Sequence, residues 1–111
     1  LEVMQTVVGG DIEEYMPFED EVAIICNEEG KITGMAPNRA VYAENSREML
    51  DIICGKFFIV YAPFEAERFQ SLPPDLAEKY REKFKYPERF MRVNNEIVAV
   101  PFKPVRADKE R

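Results

Sequence analysis

One stretch, Ile52-Ile53-Cys54-Gly55-Lys56-Phe57-Phe58-Ile59-Val60-Tyr61-Ala62, limits the possible architectures more tightly than any other. From Phe57 to Tyr61 successive side chains are apolar, so a strand there is apolar on both faces. Such a strand reads as central and needs cover on each side, for which helices are the natural candidates. The chain is therefore expected to be α+β: a small, mostly antiparallel sheet with one or two helices packed on it. Its 111 residues suffice for one domain, expected over residues 1–105 with 106–111 as a mobile tail. The longest apolar run, Phe57 to Ala62, is far short of the roughly 20 residues that a membrane span requires.

The flanking segments predict the remaining elements. Leu1, Met4 and Val8 fall at helical spacing, so residues 1–8 read as a short amphipathic helix stopped by Gly9-Gly10. With no initiator Met the chain opens inside an element, and residues preceding Leu1 are expected. Ile12 to Phe18 alternates as a strand with Pro17 at an edge or end, and Glu21 to Asn27 is a stronger strand. Asn27-Glu28-Glu29-Gly30-Lys31 suits a type I turn, with Gly30 taking the positive φ of a following bulge. Lys31 to Met35 would resume the strand as a hairpin, broken by Pro37-Asn38-Arg39. Ala40 to Asn45 is ambiguous, and Ser46 to Asp51 reads as a helical turn or a loop. The clearest helix spans residues 73–85. Pro73 and Pro74 suit its first turn, Ser71 or Asp75 can cap it, and Leu76, Ala77, Tyr80 and Phe84 form one stripe. Tyr86-Pro87 ends it, and a last hairpin joins Phe90–Val93 to Ile97–Val100 around Asn94-Asn95.

Histidine is absent, which removes the commonest general base and a common metal ligand together. Cys26 and Cys54 each follow an Ile-Ile pair and read as core thiols rather than nucleophiles. No basic start or apolar stretch of a secretory signal opens the chain, so a cytoplasmic setting is expected. Charge is unevenly spread: residues 1–30 hold nine acids and no Lys or Arg, whereas residues 79–111 hold ten basic residues against five acids. Such polarity suits self-association as a homodimer, a charged partner at either end, or segments that neutralise each other in the fold. The basic residues from Lys79 to Arg92 interleave with Tyr80, Phe84, Tyr86 and Phe90. Helical spacing assigns Tyr80 and Phe84 to the core, which disfavours a nucleic-acid groove.

Two polar groups remain as candidates. Arg39 follows Pro37-Asn38, where a rigid turn can present a guanidinium to a carboxylate or phosphate, or else hold it in a structural pair. Asp11 and Glu13 share one face of a strand and can serve as an acid–base pair or hold a hard cation, though no calcium-loop pattern surrounds them. Gly9-Gly10 is followed by acids rather than by Lys-Ser/Thr, so no phosphate-cradling loop is present.

Val7-Val8-Gly9-Gly10-Asp11-Ile12-Glu13, Asn27-Glu28-Glu29-Gly30-Lys31, Asn38-Arg39 and Ile53-Cys54-Gly55-Lys56-Phe57-Phe58-Ile59-Val60 occur in this order. The series resembles the family called domain of unknown function 3846, whose members occur in bacteria, phages and other mobile elements. The resemblance covers about residues 1 to 85. It implies an additional strand upstream of the first helix and a small accessory protein of a mobile element. It carries no established activity and transfers no catalytic residue, and Cys26 and Cys54 depart from the family's pattern. The resulting expectation is a binding protein that engages a host protein or a small ligand without catalysis, with Asn38 and Arg39 as its polar anchors. No cofactor, metal ligand or catalytic residue is assigned. The alternative is a metal-assisted enzyme that acts on a phosphorylated small molecule through Asp11 and Glu13.

Overall fold

A computed structural model describes residues 2–103. In chain order the elements are α1 (Glu2–Val8), β1 (Ile12–Tyr15), β2 (Val22–Asn27), β3 (Pro37–Tyr42), β4 (Met49–Cys54), β5 (Phe58–Tyr61), α2 (Pro74–Lys83), β6 (Glu88–Val93) and β7 (Glu96–Pro101). Every strand pair is antiparallel, so the chain is α+β as expected. The strands form three sheets rather than one, ordered β1-β2-β5, β3-β4 and β6-β7. The tail assigned to residues 106–111 lies outside the described residues.

The central strand is β2. Val22, Ala23, Ile24, Ile25 and Cys26 are all buried, because both faces of β2 are covered. Val22, Ile24 and Cys26 pack with Phe18, Val41, Ile53 and Tyr80, which come from the β3-β4 ribbon, α2 and the loop after β1. Ala23 and Ile25 pack with Val8 of α1, Val60 and Ala62. Each fully buried Ile on this strand stabilises the fold by roughly 1.5–3 kcal/mol relative to an exposed one. The expectation that Phe57 to Tyr61 would be central is corrected. β5 lies at the edge of its sheet, and only Val60 among its residues is buried.

The run of residues 52–62 is also two strands rather than one. Gly55 adopts φ +86°, a left-handed conformation that L side chains resist, and the chain turns from β4 into a different sheet. One apolar run therefore feeds two layers. Four further expectations are overturned nearby. Lys31 to Met35 is not a strand: Thr33 N–H donates to the Glu29 carbonyl at 2.9 Å and Met35 N–H to the Gly30 carbonyl at 2.9 Å, which makes successive turns. Gly30 is not a positive-φ residue, a conformation taken by Gly34 at φ +81°. Pro37-Asn38-Arg39 does not break a strand but begins β3, since Pro suits a strand's first position. Residues 49–51, read as part of a helical turn or loop, begin β4.

Both helices stand where the spacing predicts. α1 ends before Gly9, whose φ is +83°. α2 begins after Pro73 with no side-chain cap, so neither Ser71 nor Asp75 plays the part assigned to it. Its stripe buries Tyr80 and half-buries Leu76 and Phe84. The rings of Phe18 and Tyr80 lie 5.3 Å apart and those of Phe57 and Phe84 5.4 Å apart, distances at which aromatic pairs attract. The last hairpin forms around Asn94 (φ 52°) and Asn95 (φ 69°), the twin left-handed residues of a two-residue turn.

Candidate functional site

The four stretches behind the family resemblance meet at one end of the fold, around the turn after β2. Asn27 Nδ2 donates to the Val8 carbonyl at 3.1 Å, tying the turn to the end of α1. Glu28 N–H donates to the Asp11 carbonyl at 2.8 Å, extending the β1–β2 ladder. Gly30 is buried against β4: a Cβ there would stand 2.8 Å from the Cys54 carbonyl oxygen. Asn38 Nδ2 donates to the Gly55 carbonyl at 2.8 Å. Residues scattered from 8 to 55 thus close one junction, and their spacing records packing between segments.

This junction borders a groove along β4. Leu50, Ile52 and Cys54 share one face of the strand. With Pro37, Met49 and, at the hairpin tip, Glu96 and Ile97, they line a mostly apolar cleft of about 540 Å³. A narrower cleft of about 220 Å³ continues past Cys54 to Cys26, Asn27, Glu28 and Gly30. The two clefts share Lys31, Asp51, Ile52 and Cys54, so one ion pair sits where they join. Lys31 Nζ donates to Asp51 Oδ1, and that bond holds the ammonium above its ordinary pKa. Asp51 Oδ1 also accepts from its neighbour Ile52 N–H at 2.7 Å, which fixes the carboxylate. Another cleft, about 490 Å³, runs beside β5 past Phe58, Phe69 and Leu72, and no charged side chain lines it.

The Cys26 thiol in the narrow cleft is not activated. Burial, then the nearby Glu13 and Asp51 carboxylates, push the Cys26 thiol up to about 11, against a smaller opposing effect of Lys31. Cys26 is consequently a neutral thiol at physiological pH, and a neutral thiol is a poor nucleophile. Cys26 and Cys54 line the same cleft and are both free.

The residues singled out in sequence stand elsewhere. Arg39 points to the C-terminal end of α2: its Nε and Nη2 donate to the Phe84 carbonyl at 3.3 and 3.1 Å. Its Nη1 donates to the carbonyl and side-chain oxygens of Asn38 at 2.9 and 2.8 Å. Asn38 and Arg39 together clip β3 to the helix end and the Gly55 turn, and neither lines the clefts described above. Asp11 accepts from Gln5 Nε2 at 3.2 Å, and Asp11 and Glu13 are both exposed. Among the described residues no three His, Cys, Asp or Glu side chains gather to share a metal ion. The groove residues Met49, Leu50, Asp51 and Ile52 were missed because residues 46–51 carry no strong period. The alternation of Leu50, Ile52 and Cys54 was the signal for them.

A family model described as Domain of unknown function (DUF3846) matches residues 1–85. No curated protein and no solved structure matches the chain. Among the described residues no helix is long and apolar enough to cross a membrane. The matched region ends just after α2, so it holds both helices, the sheets β1-β2-β5 and β3-β4, and the whole junction around Gly30, while the β6–β7 hairpin follows it. Covering most of the chain, that match means that the chain belongs to the DUF3846 family.

Proposed function

We propose that this chain is a non-catalytic binding domain, an accessory protein of a bacterium or mobile element, whose groove over β4 receives an apolar segment of a host protein or a small apolar ligand. The observation that carries this reading is the groove itself: apolar along Met49, Leu50, Ile52 and Ile97, with the Lys31–Asp51 ion pair and Glu96 as its charged lining. Binding sites are commonly built this way, from an apolar lining with a few placed polar groups that orient the ligand. The chemistry in the groove favours binding over turnover, since Cys26 is held as a neutral thiol and the chain contains no histidine to activate it. Two unpaired thiols on one cleft also favour a reducing, cytoplasmic setting.

The test uses an apolar anionic dye, 8-anilinonaphthalene-1-sulfonate, titrated into protein labelled at Met and Ile methyl groups. The methyl resonances of Met49 and Ile52 should shift saturably. Leu50→Glu, at an already exposed position, should weaken binding about tenfold or more while leaving the rest of the spectrum in place. Saturable shifts confined to residues outside the groove, or none at millimolar dye, overturn the reading.

A further inference from the structure

We propose that the outer face of the β6–β7 hairpin is a self-association surface, on which a second copy of this chain packs its own hairpin in the opposite direction. The ladder pairs Arg89 with Val100, Met91 with Val98 and Val93 with Glu96. Directly paired residues lie on the same side of a sheet. Phe102, whose N–H donates to the Pro87 carbonyl at 2.7 Å, continues that side. It therefore presents Met91, Val93, Val98, Val100 and Phe102, and all five are exposed, between 37% and 54%. The opposite side turns toward the body: Phe90 and Ala99 are half-buried, and Glu88 Oε1 accepts from Ala40 N–H of β3 at 2.7 Å. A two-stranded hairpin is marginal by itself, and one apolar face of this hairpin has no cover among the described residues.

The charges on this face select a second copy as the cover. Arg89 stands at the base of the hairpin and Glu96 at its tip. A two-fold axis that lays base over tip brings Arg89 of each copy beside Glu96 of the other, and symmetry makes the contact twice. Laying base over base would instead bring like charges together. Arg89 is already held on this face, its guanidinium 5.8 Å from the centre of the Phe102 ring. The two apolar faces would then meet as sheets do in a sandwich, aligned within about 30°. The five side chains expose on the order of 400 Å² per copy, hence about 800 Å² in the pair, below the roughly 1,200 Å² of a standard stable interface, so the association is a weak, concentration-dependent one.

The test is sedimentation velocity on the full 111-residue chain, from about 1 μM to about 1 mM at low salt. The chain should pass from the 12.9 kDa monomer to a dimer as concentration rises. Val98→Lys should abolish the dimer. Arg89→Glu and Glu96→Arg should each weaken it about tenfold, and the double reversal should recover the original affinity to within about threefold. Both charge variants alter exposed side chains, so they remain informative if Val98→Lys disturbs the hairpin. A monomer at every concentration overturns the proposal, as does a dimer indifferent to all three substitutions. Weakening by each reversal without recovery in the double variant overturns the antiparallel arrangement.

Discussion

Replacing Arg39 tests whether its guanidinium serves as a clip on the end of α2. Arg39→Ala removes both bonds to the Phe84 carbonyl, at 3.1 and 3.3 Å, and both bonds to Asn38. A hydrogen bond to a charged group contributes about 1.5–3 kcal/mol. Because the two bonds to Phe84 share one acceptor, they count as a single interaction. The cation also loses its favourable position beside the last carbonyls of the helix, worth a few tenths of a kcal/mol at a partly exposed site. The expected destabilisation is about 2 kcal/mol. At an unfolding entropy of roughly 2.1 cal/mol/K per residue, the melting temperature should fall by about 9 °C. Arg39→Lys keeps the charge but cannot serve both Phe84 and Asn38 from one ammonium, and should recover no more than about half of the loss. Urea unfolding of the three proteins, with equal m-values, measures the difference. A cost below about 0.5 kcal/mol for Arg39→Ala would refute the clip and return Arg39 to the pool of ligand-facing side chains.

Two other outcomes follow from the same geometry. Gly30→Ala must push its methyl against the Cys54 carbonyl oxygen, 2.8 Å from the position of the new carbon, so the turn has to lift off β4. Urea denaturation should show a loss of about 1–3 kcal/mol, and a neutral substitution would mean that the turn does not pack there. Asp20 accepts from Lys79 Nζ at 2.6 Å and from the Tyr80 hydroxyl at 2.8 Å, and these bonds, Lys79's first, hold its carboxyl below the ordinary range. A carboxyl depressed by folding stabilises the protein above its unfolded pKa of about 3.9, and that stability is lost as pH falls through the lower folded value. Asp20→Asn should therefore cost about 1 kcal/mol at neutral pH and progressively less below about pH 4, read as converging urea midpoints. A difference that stays constant from pH 2 to pH 7 would remove the charge from the account. Tyr80 is shifted in the other direction, raised by burial and then by Asp20, so its contribution holds below pH 10 and is lost as the solution becomes more alkaline.

Local chemistry was legible in several segments that carried their own reason, though not in the turn after Asn27. The twin Asn at residues 94 and 95 takes the two left-handed positions of the last turn, the Gly after Val8 ends α1, and the stripe from Leu76 to Phe84 faces the core. The order of the four motif stretches was equally legible and led to the correct family. What they do was not. Asn38, Gly30 and Gly55 look like isolated punctuation in the chain, and their shared task emerges only where their segments meet. The ion pair of the groove joins Lys31 and Asp51, twenty residues apart, and no spacing rule connects them.

Sequence alone thus determined elements whose stability is local: helices with an apolar stripe and a stop residue, and the last hairpin, whose two turn Asn take the required handedness. Tertiary structure decided which strand became central. Residues 22–26 and 57–61 are both apolar on each side, and hydrophobicity does not distinguish them. β2 is central because strands pair with it on both edges while α1 and the β3-β4 ribbon cover its faces. β5 begins after a left-handed glycine has turned the chain to the sheet's edge. Burial is a property of where segments meet, so it assigns core, groove and clip only after the chain has folded.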